Sequence, residues 1–327
     1  MTMNLRARLD HSARFDAEYG PNLASHLPMA LVALARLGAD DARLADFAAR
    51  YATRLHPAPP PQPWPAGQPW QSRFGDPAAW PAYRSLFNAW FDDEGAPAVL
   101  AQALPALLRG VGAAAFHGPI RAAYALAAGH SHELADALAY WACRWFSLGT
   151  PPAVGPARDP AAVLARLRLP MPQRPLIAER MALAAAQPAF AATVAAYRVD
   201  PDTMLAQLAA LAARLYAASG NFTALHLVTS AHAMRVLLPW VDEDDAAAAL
   251  GHYWLAYAAG YAASDLNSAG RAHAPAGPPR SWAEMVARAV ASDDDHLIKL
   301  VDSCREQERA YGGTVWREAA SRAVAGA

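Results

Sequence analysis

Lysine is almost absent from this chain of 327 residues. Lysine and arginine together number 28, and Lys299 is the only lysine among them. Arginine stays protonated in proteins, whereas a buried lysine can lose its proton and act as a nucleophile or react with carbon dioxide. Lys299 is therefore a candidate for chemistry that arginine cannot perform.

The chain also lacks an excess of charge of either sign. The formal net charge is −1 and the pI is near 6.8, so there is no basic field for nucleic acid or for an anionic membrane. The two cysteines, Cys143 and Cys304, do not have the spacing of a metal site. The N-terminal segment carries charges throughout and lacks the apolar core of a signal peptide. We therefore expect a cytoplasmic protein with neither a nucleic-acid nor a membrane partner.

Alternating runs of β-branched residues are absent as well. Alanine-rich segments with apolar residues three and four positions apart recur instead, and 54% of the residues are hydrophobic. This pattern predicts an all-α fold with a substantial core, and residues 1–327 are predicted to form one domain. Ordered loops rich in proline and tryptophan or glycine are predicted over residues of about 56–81 and 149–175.

Helical periodicity predicts ten helices. They cover residues 23–37, 41–55, 97–108, 116–128, 131–146, 201–219, 222–238, 243–263, 281–291 and 293–311. The longest uncharged stretch, residues 246–264, raises the question of a membrane span. It is alanine-rich and contains Gly251, His252 and Gly260, so we interpret it as a buried helix.

Eleven histidines are present, and three of them stand in or beside apolar helices: His26, His117 and His226. A single imidazole on an apolar helix is usually a hydrogen-bonded core residue. His296 adds a fourth, and it precedes Lys299 by three residues on the same helical face. Four helices would then each direct an imidazole inward, as in the metal sites of helical bundles. We therefore predict a metal site in the helical core.

The other histidines are interpreted differently. His232 lies about 120° around the helix from His226, so it is predicted to support the site rather than share its ion. With Lys299 and His296 it forms the predicted catalytic set. Two more flank a predicted helix start, where exposure is expected: His130 and His132. For the last four, no neighbouring residues in the sequence suggest a shared site, so they are interpreted as structural or surface residues: His11, His56, His252 and His273.

Imidazoles with one anionic oxygen suit Fe(II), Mn or Zn better than Ca or Mg, and histidine–carboxylate iron sites commonly activate dioxygen. No aspartate or glutamate is obviously placed to supply that oxygen. A buried Lys299 could supply it as a carbamate after reaction with carbon dioxide. The alternative is an ordinary exposed ion pair between Lys299 and Asp295, which are four residues apart on one helix. Local sequence leaves both interpretations open.

Five segments, taken in order, resemble the questin oxidase-like family. They are residues 22–31 (NLASHLPMAL), 35–39 (ARLGA), 116–121 (FHGPIR), 225–233 (LHLVTSAHA) and 295–300 (DHLIKL). The resemblance implies oxidation or cleavage of rings in anthraquinone-type polyketides, in a Baeyer–Villiger-like reaction supported by NADPH. It also implies iron held by histidines and a carboxylated lysine. His26, His117, His226 and His296 match those histidines, and Lys299 matches the lysine.

We interpret the chain as a metal-dependent oxygenase, with non-haem iron expected and zinc or manganese as alternatives. Its expected partners are dioxygen and an aromatic or polycyclic molecule of the quinone or phenol type. Two other functions stay open: a non-catalytic helical binding protein and a zinc or manganese hydrolase. Because an all-α chain offers no dinucleotide fold, NADPH is expected only as a diffusible reductant. Substrate-lining residues are chosen by chemical type alone: Arg121, Tyr124, Trp80 and Trp254.

Overall fold

A computed structural model describes residues 3–151, 155–172, 174, 176–266 and 279–326. Within these ranges the chain forms fifteen α-helices and one small antiparallel pair of strands, β1 (Glu18–Tyr19) and β2 (Leu23–Ala24). The helices are α1 (Met3–Ser12), α2 (Leu27–Leu37), α3 (Asp41–Ala52), α4 (Trp80–Leu108), α5 (His117–Ala128), α6 (Ser131–Cys143), α7 (Pro160–Leu164), α8 (Ile177–Ala185), α9 (Pro188–Val194), α10 (Met204–Ser219), α11 (Phe222–Leu237), α12 (Glu243–Ala263), α13 (Trp282–Ala291), α14 (Asp295–Tyr311) and α15 (Val315–Ala325). The predicted all-α fold class is confirmed.

Side chains cap several helix N-termini and satisfy backbone N–H groups that the first turn leaves without a partner. Asp40 caps α3 and Asp294 caps α14. The predicted helix start at Ser131 is confirmed, but the capping group is the imidazole of His130. Its Nδ1 accepts a hydrogen bond from the backbone N–H of Glu133. The expectation that His130 is exposed was wrong, because this capping position is buried.

Each of the ten predicted helices has a counterpart, but six further segments are helical. The prediction missed α1, α7, α8, α9, α15 and the first half of α4, which bends at Gly95 (φ 76°). Short helices depend on tertiary packing rather than on local periodicity, so their sequence signal is weak. The predicted loop 56–81 is irregular except for 3-10 turns at Trp70–Arg73 and Pro77–Ala79 and the start of α4. The predicted loop 149–175 contains α7.

Four helices form a closed ring at the centre of the molecule. α2 packs on α5 and α14, and α11 packs on the same two helices. The facing sides are buried and largely aliphatic, as the three- and four-residue periodicity predicts. The prediction of one domain over residues 1–327 stays a prediction, since part of the chain lies outside the described residues.

The long uncharged stretch belongs to α12, which packs on α4, α8 and α11. Trp254 and Tyr257 are fully buried on it. At Gly260 an added Cβ would lie 2.9 Å from a methyl group of Leu227, so the missing side chain lets α12 approach α11 closely. No helix in the described ranges is long and apolar enough to cross a membrane.

Candidate metal centre

The N-termini of the four central helices meet at one place. His26 is the N-cap of α2, His117 is the first residue of α5, His226 lies one turn into α11, and His296 is the second residue of α14. Helix packing therefore brings together four imidazoles that are far apart in sequence. Helix N-termini carry partial positive charge, so this place favours an anionic oxygen beside the histidines.

The four imidazole rings are neighbours. The ring centroid of His26 lies 4.6 Å from those of His117 and His296, and that of His226 lies 5.0 Å from His117 and 5.4 Å from His296. One ligand atom from each of His26, His117 and His296 lies within 4.8 Å of the other two. Two nitrogens on opposite sides of one ion are about 4.2 Å apart at bond lengths of about 2.1 Å. The three donors are thus close to the spacing that a shared ion requires.

Backbone carbonyl groups fix the protonated nitrogen of two of these rings. The Nδ1–H of His117 donates to the carbonyl oxygen of Ala114, and the Nδ1–H of His226 donates to that of Phe222 at 2.9 Å. The lone pair of each ring is therefore on Nε2. Among the described residues, the buried Nε2 of His117 has no hydrogen-bond partner. Such an anchored imidazole with a free lone pair is the arrangement found in metal-binding histidines.

The turn before His117 is strained. Ala114, Ala115 and Phe116 have φ values of 48°, 56° and 72°, and the left-handed region costs a non-glycine residue about 1–3 kcal/mol. This turn places the Ala114 carbonyl against Nδ1 of His117. None of these three positions is a glycine or an asparagine, so no local signal predicts the turn.

The carboxylate group of Asp295 contacts the other two histidines, His26 and His296. Its Oδ1 lies 2.5 Å from Nδ1 of His26 and 2.9 Å from Nδ1 of His296. A carboxylate that accepts from Nδ1–H leaves Nε2 free to bind a metal and makes the ring a better ligand. The sequence indicated no aspartate or glutamate that could supply an anionic oxygen here, but the structure brings Asp295 to the histidines. The first turn of α14 packs inward, so Asp295 is only 5% exposed.

Lys299 lies beside this carboxylate and is 2% exposed. Its Nζ is 2.9 Å from Nδ1 of His26 and 3.9 Å from Oδ1 of Asp295. The alternative of an exposed ion pair is therefore wrong, because both partners are buried. Burial lowers the pKa of Lys299 to about 8, although the charges of Asp295 and Asp294 oppose the change. On the order of a tenth of the amine is thus neutral at pH 7.

Burial also keeps three of the four histidines neutral. It lowers the pKa of His26 to about 3, with a further contribution from the charge of Lys299. Burial likewise holds the pKa of His117 and of His226 well below the usual range. Burial alone would raise the pKa of Asp295, but His26 and His296 together hold it well below its ordinary value. His26, His117 and His226 are therefore neutral imidazoles beside the Asp295 carboxylate, which is the protonation state that metal binding needs.

These residues fit a first-row transition-metal ion. Nitrogen donors with fixed tautomers suit Fe(II), Zn and Mn, and an unpartnered buried Nε2 is costly unless something binds it. Asp295 or a modified Lys299 provides the negative charge that offsets a divalent cation among helix N-termini. The donor set does not resemble the all-oxygen sites of calcium or magnesium.

A cavity of about 240 Å³ opens beside the cluster, and all four histidines line it. Its other walls come from β1, β2 and their connection, from the strained turn before α5, and from the start of α8. Most of these groups are alanine, leucine, isoleucine or aromatic side chains. A small, mainly apolar molecule can therefore lie against the imidazoles.

The structure does not bring the predicted substrate-lining residues to this cavity. Arg121 is buried in an ion pair with Glu133, with Nε 2.6 Å from Oε1. Trp80 packs below the guanidinium group of Arg84. Trp254 is buried and donates to the carbonyl oxygen of Val194. Chemical type alone selected them, and each has a packing role elsewhere.

Tyr124 and His232 lie behind the cluster and form part of a second buried polar group. The hydroxyl of Tyr124 lies 3.3 Å from the carbonyl oxygen of Lys299 and 3.4 Å from Oγ of Ser303. The ring of His232 lies 6.2 Å from that of Tyr124, and its Nδ1 is 3.4 Å from a guanidinium nitrogen of Arg235. Neither residue lines the cavity. A catalytic role for His232 stays a prediction.

The remaining histidines lie apart from the cluster. His132 is exposed, and His252 packs at the partly buried side of α12. His11 and His56 lie on the N-terminal part of the chain, away from the four central imidazoles. His273 lies outside the described residues.

The fold and the cluster define an all-α protein with four neighbouring histidines, three of which have ligand atoms close enough together to hold a metal ion. The model of the questin oxidase-like family matches residues 23–304, so the chain belongs to this family. The suspected resemblance is confirmed. No curated protein matches the chain. At the level of the family, membership implies oxidoreductase activity by an oxygenase that acts on aromatic compounds, with a small-molecule substrate and dioxygen.

Proposed function

We propose that the protein is a non-haem iron oxygenase of an aromatic small molecule of the quinone or phenol type. His26, His117, His226 and His296 hold the metal through Nε2. The observation that carries this proposal is that each of the four Nδ1 atoms faces an oxygen acceptor, with Nζ of Lys299 also 2.9 Å from that of His26. All four rings then present a lone pair from the other nitrogen, as metal-binding histidines do.

Lys299 is proposed to complete the ligand set as a carbamate. Its neutral amine adds to carbon dioxide, which forms an N–C bond, releases one proton and leaves an anionic oxygen. Burial and a lowered pKa support this reaction because they increase the neutral fraction of the amine. The convergent helix N-termini favour the resulting negative charge. Zinc or manganese would be held by the same atoms.

Iron bound at this site would supply the activation of dioxygen. The chain itself contributes a cavity with mainly apolar walls, and it fixes the orientation of the ligands through Asp295 and two backbone carbonyls. The helix N-termini stabilise negative charge on an oxygen of the bound molecule. If the reaction needs electrons, we propose that NADPH or another diffusible donor supplies them.

A reducing cytoplasm is the proposed location. The two cysteines are unpaired and buried in the described structure. Ferrous iron and free thiols both persist in a reducing compartment.

Metal analysis of protein prepared without a histidine tag tests the proposal. We expect about one iron per chain in the parent, and loss of that iron in His117→Ala and in His226→Ala. His132→Ala is the matched control, because His132 is exposed and distant from the cluster. Full metal content in both cluster variants would contradict the assignment. Oxygen uptake with aromatic substrates separates an oxygenase from a zinc or manganese hydrolase, and a metal-free parent would favour a binding protein.

A further inference from the structure

The cavity beside the histidines has an apolar mouth. Among the described residues, the exposed large hydrophobic side chains are those of Met3, Leu23, Phe222, Trp240 and Tyr311. Two of these five, Leu23 and Phe222, line this one cavity. Exposed apolar side chains that gather at a cavity indicate a binding surface, whereas isolated ones need no explanation.

Phe222 contacts two of the proposed metal ligands directly. Its ring centroid lies 4.9 Å from that of His226 and 4.7 Å from that of His296. The residue is nevertheless 53% exposed, so one side of the ring is covered by imidazoles and much of the remainder is free. An aromatic ring in this situation gains stability when a second flat ring covers it.

The backbone holds Phe222 in place independently of any ligand. Asn221 caps α11 by accepting from the N–H groups of Thr223 and Ala224, and the Phe222 carbonyl accepts from Nδ1–H of His226. The position of the ring is therefore coupled to the same imidazole that is proposed to bind metal. A preformed surface of this kind costs little ordering on binding.

Among the residues that the structure describes, those lining the cavity include no aspartate, glutamate, lysine or arginine. Their polar groups besides the histidines are Tyr19, Asn22 and Tyr140. Burial, together with the nearby charge of Glu18, raises the pKa of Tyr140 well above its usual value, so this group is neutral near pH 7. The cavity therefore offers no charged partner for the body of a ligand and favours an uncharged ring system.

We propose that Phe222 is the stacking platform for the substrate and determines its class. The substrate is an aromatic molecule with an uncharged body of one or two rings, which enters past Leu23 and lies against Phe222. Its oxygen substituent faces the four histidines. The cavity volume of about 240 Å³ is below the range of about 300–1,000 Å³ that is usual for drug-sized ligands. That the bound molecule is oxidised rests on the proposed function. That it binds against Phe222 does not.

Calorimetry with 2-naphthol and its saturated analogue decahydro-2-naphthol tests the platform. The two probes share a hydroxyl group and a two-ring skeleton, and only 2-naphthol is flat and aromatic. We expect Phe222→Ala to weaken 2-naphthol binding about tenfold, with little effect on the saturated probe. Phe222→Trp should keep the affinity for 2-naphthol. Trp240→Ala is the control, because Trp240 is similarly exposed but does not line the cavity.

Metal content is measured in the same samples. Iron at the parental level in Phe222→Ala, with the loss confined to 2-naphthol, supports the proposal. Unchanged binding of 2-naphthol overturns it. Equal losses for both probes, or loss of iron together with affinity, also overturn it, because Phe222 would then act as general apolar cover or as support for the histidines. If the parent holds no iron but binds 2-naphthol through Phe222, the oxygenase proposal fails while the platform stands.

Discussion

Asp295 is the residue on which the cluster depends most. One carboxylate oxygen meets Nδ1 of both His26 and His296, so a single side chain orients half of the proposed imidazole ligands. Sequence spacing alone suggested an exposed partner for Lys299. The burial of the α14 N-terminus reverses that interpretation, because a buried carboxylate requires hydrogen-bond donors.

Asp295→Asn is expected to weaken iron binding about 10–100-fold, the usual effect of losing such an orienting carboxylate. The amide is similar in shape, so the fold should persist, but it accepts less strongly and does not carry the charge that offsets the metal. Competition with a chelator of known affinity measures the change. Asp293→Asn is the control on a nearby exposed carboxylate. An unchanged affinity would show that Asp295 does not orient the ligands.

Lys299→Arg separates a carbamate ligand from a simple buried cation. Arginine keeps a positive charge but cannot form a stable carbamate, so the variant is expected to fold, to lose most metal affinity and to lose oxygen uptake. Lys299→Glu is expected to recover part of the metal, since it restores an anionic oxygen. Metal analysis and oxygen consumption measure both. Parental metal content and turnover in Lys299→Arg would refute a carbamate role.

At the scale of the element, α14 carries two buried acidic groups with different functions. Asp295 faces the cluster at its first turn, and Asp302 lies two turns later, where its Oδ1 is 3.1 Å from Nε of Arg36. Burial raises the pKa of Asp302 from 3.8 to about 6, although the charge and hydrogen bond of Arg36 oppose this. The second carboxylate therefore lowers stability near neutral pH.

Asp302→Asn should change the dependence of stability on pH. In the folded parent Asp302 binds its proton more tightly than in the unfolded chain, so stability falls as pH rises from about 4 to 6. The asparagine variant lacks this loss. Relative to the parent, its free energy of unfolding should improve by on the order of 3 kcal/mol between pH 4 and pH 7. Urea unfolding of metal-free protein measures this, with Asp46→Asn as the exposed control; parallel curves for Asp302→Asn and the parent would contradict it.

At the scale of the whole molecule, the metal would join all four central helices. A ligand that binds only the folded state at about 100 times its dissociation constant stabilises by about 2.7 kcal/mol. For a chain of this size we expect chelation to lower the melting temperature by about 5 °C. Calorimetry with and without chelator measures the shift. His117→Ala should melt at the same temperature in both conditions, and a parent insensitive to chelator would contradict a metal at the centre.

The sequence by itself determined the all-α class and ten of the helices, and it predicted which four histidines lie together near Lys299. Helical periodicity and apolar neighbours are local properties, so they can be read along the chain. The family resemblance added the order of these segments, and the family match over residues 23–304 confirmed it.

Only the tertiary structure decided what surrounds those residues. The spacing of Asp295 and Lys299 is that of an exposed helix pair, but α2 packs on α14 and buries Asp295. The sequence did not single out Phe222, and only the structure places its ring at the mouth of the cavity. Arg121 and Trp254, chosen by chemical type, proved to be buried in packing and ion-pair contacts elsewhere. Burial and contact across helices depend on residues distant in sequence, and no local pattern encodes them.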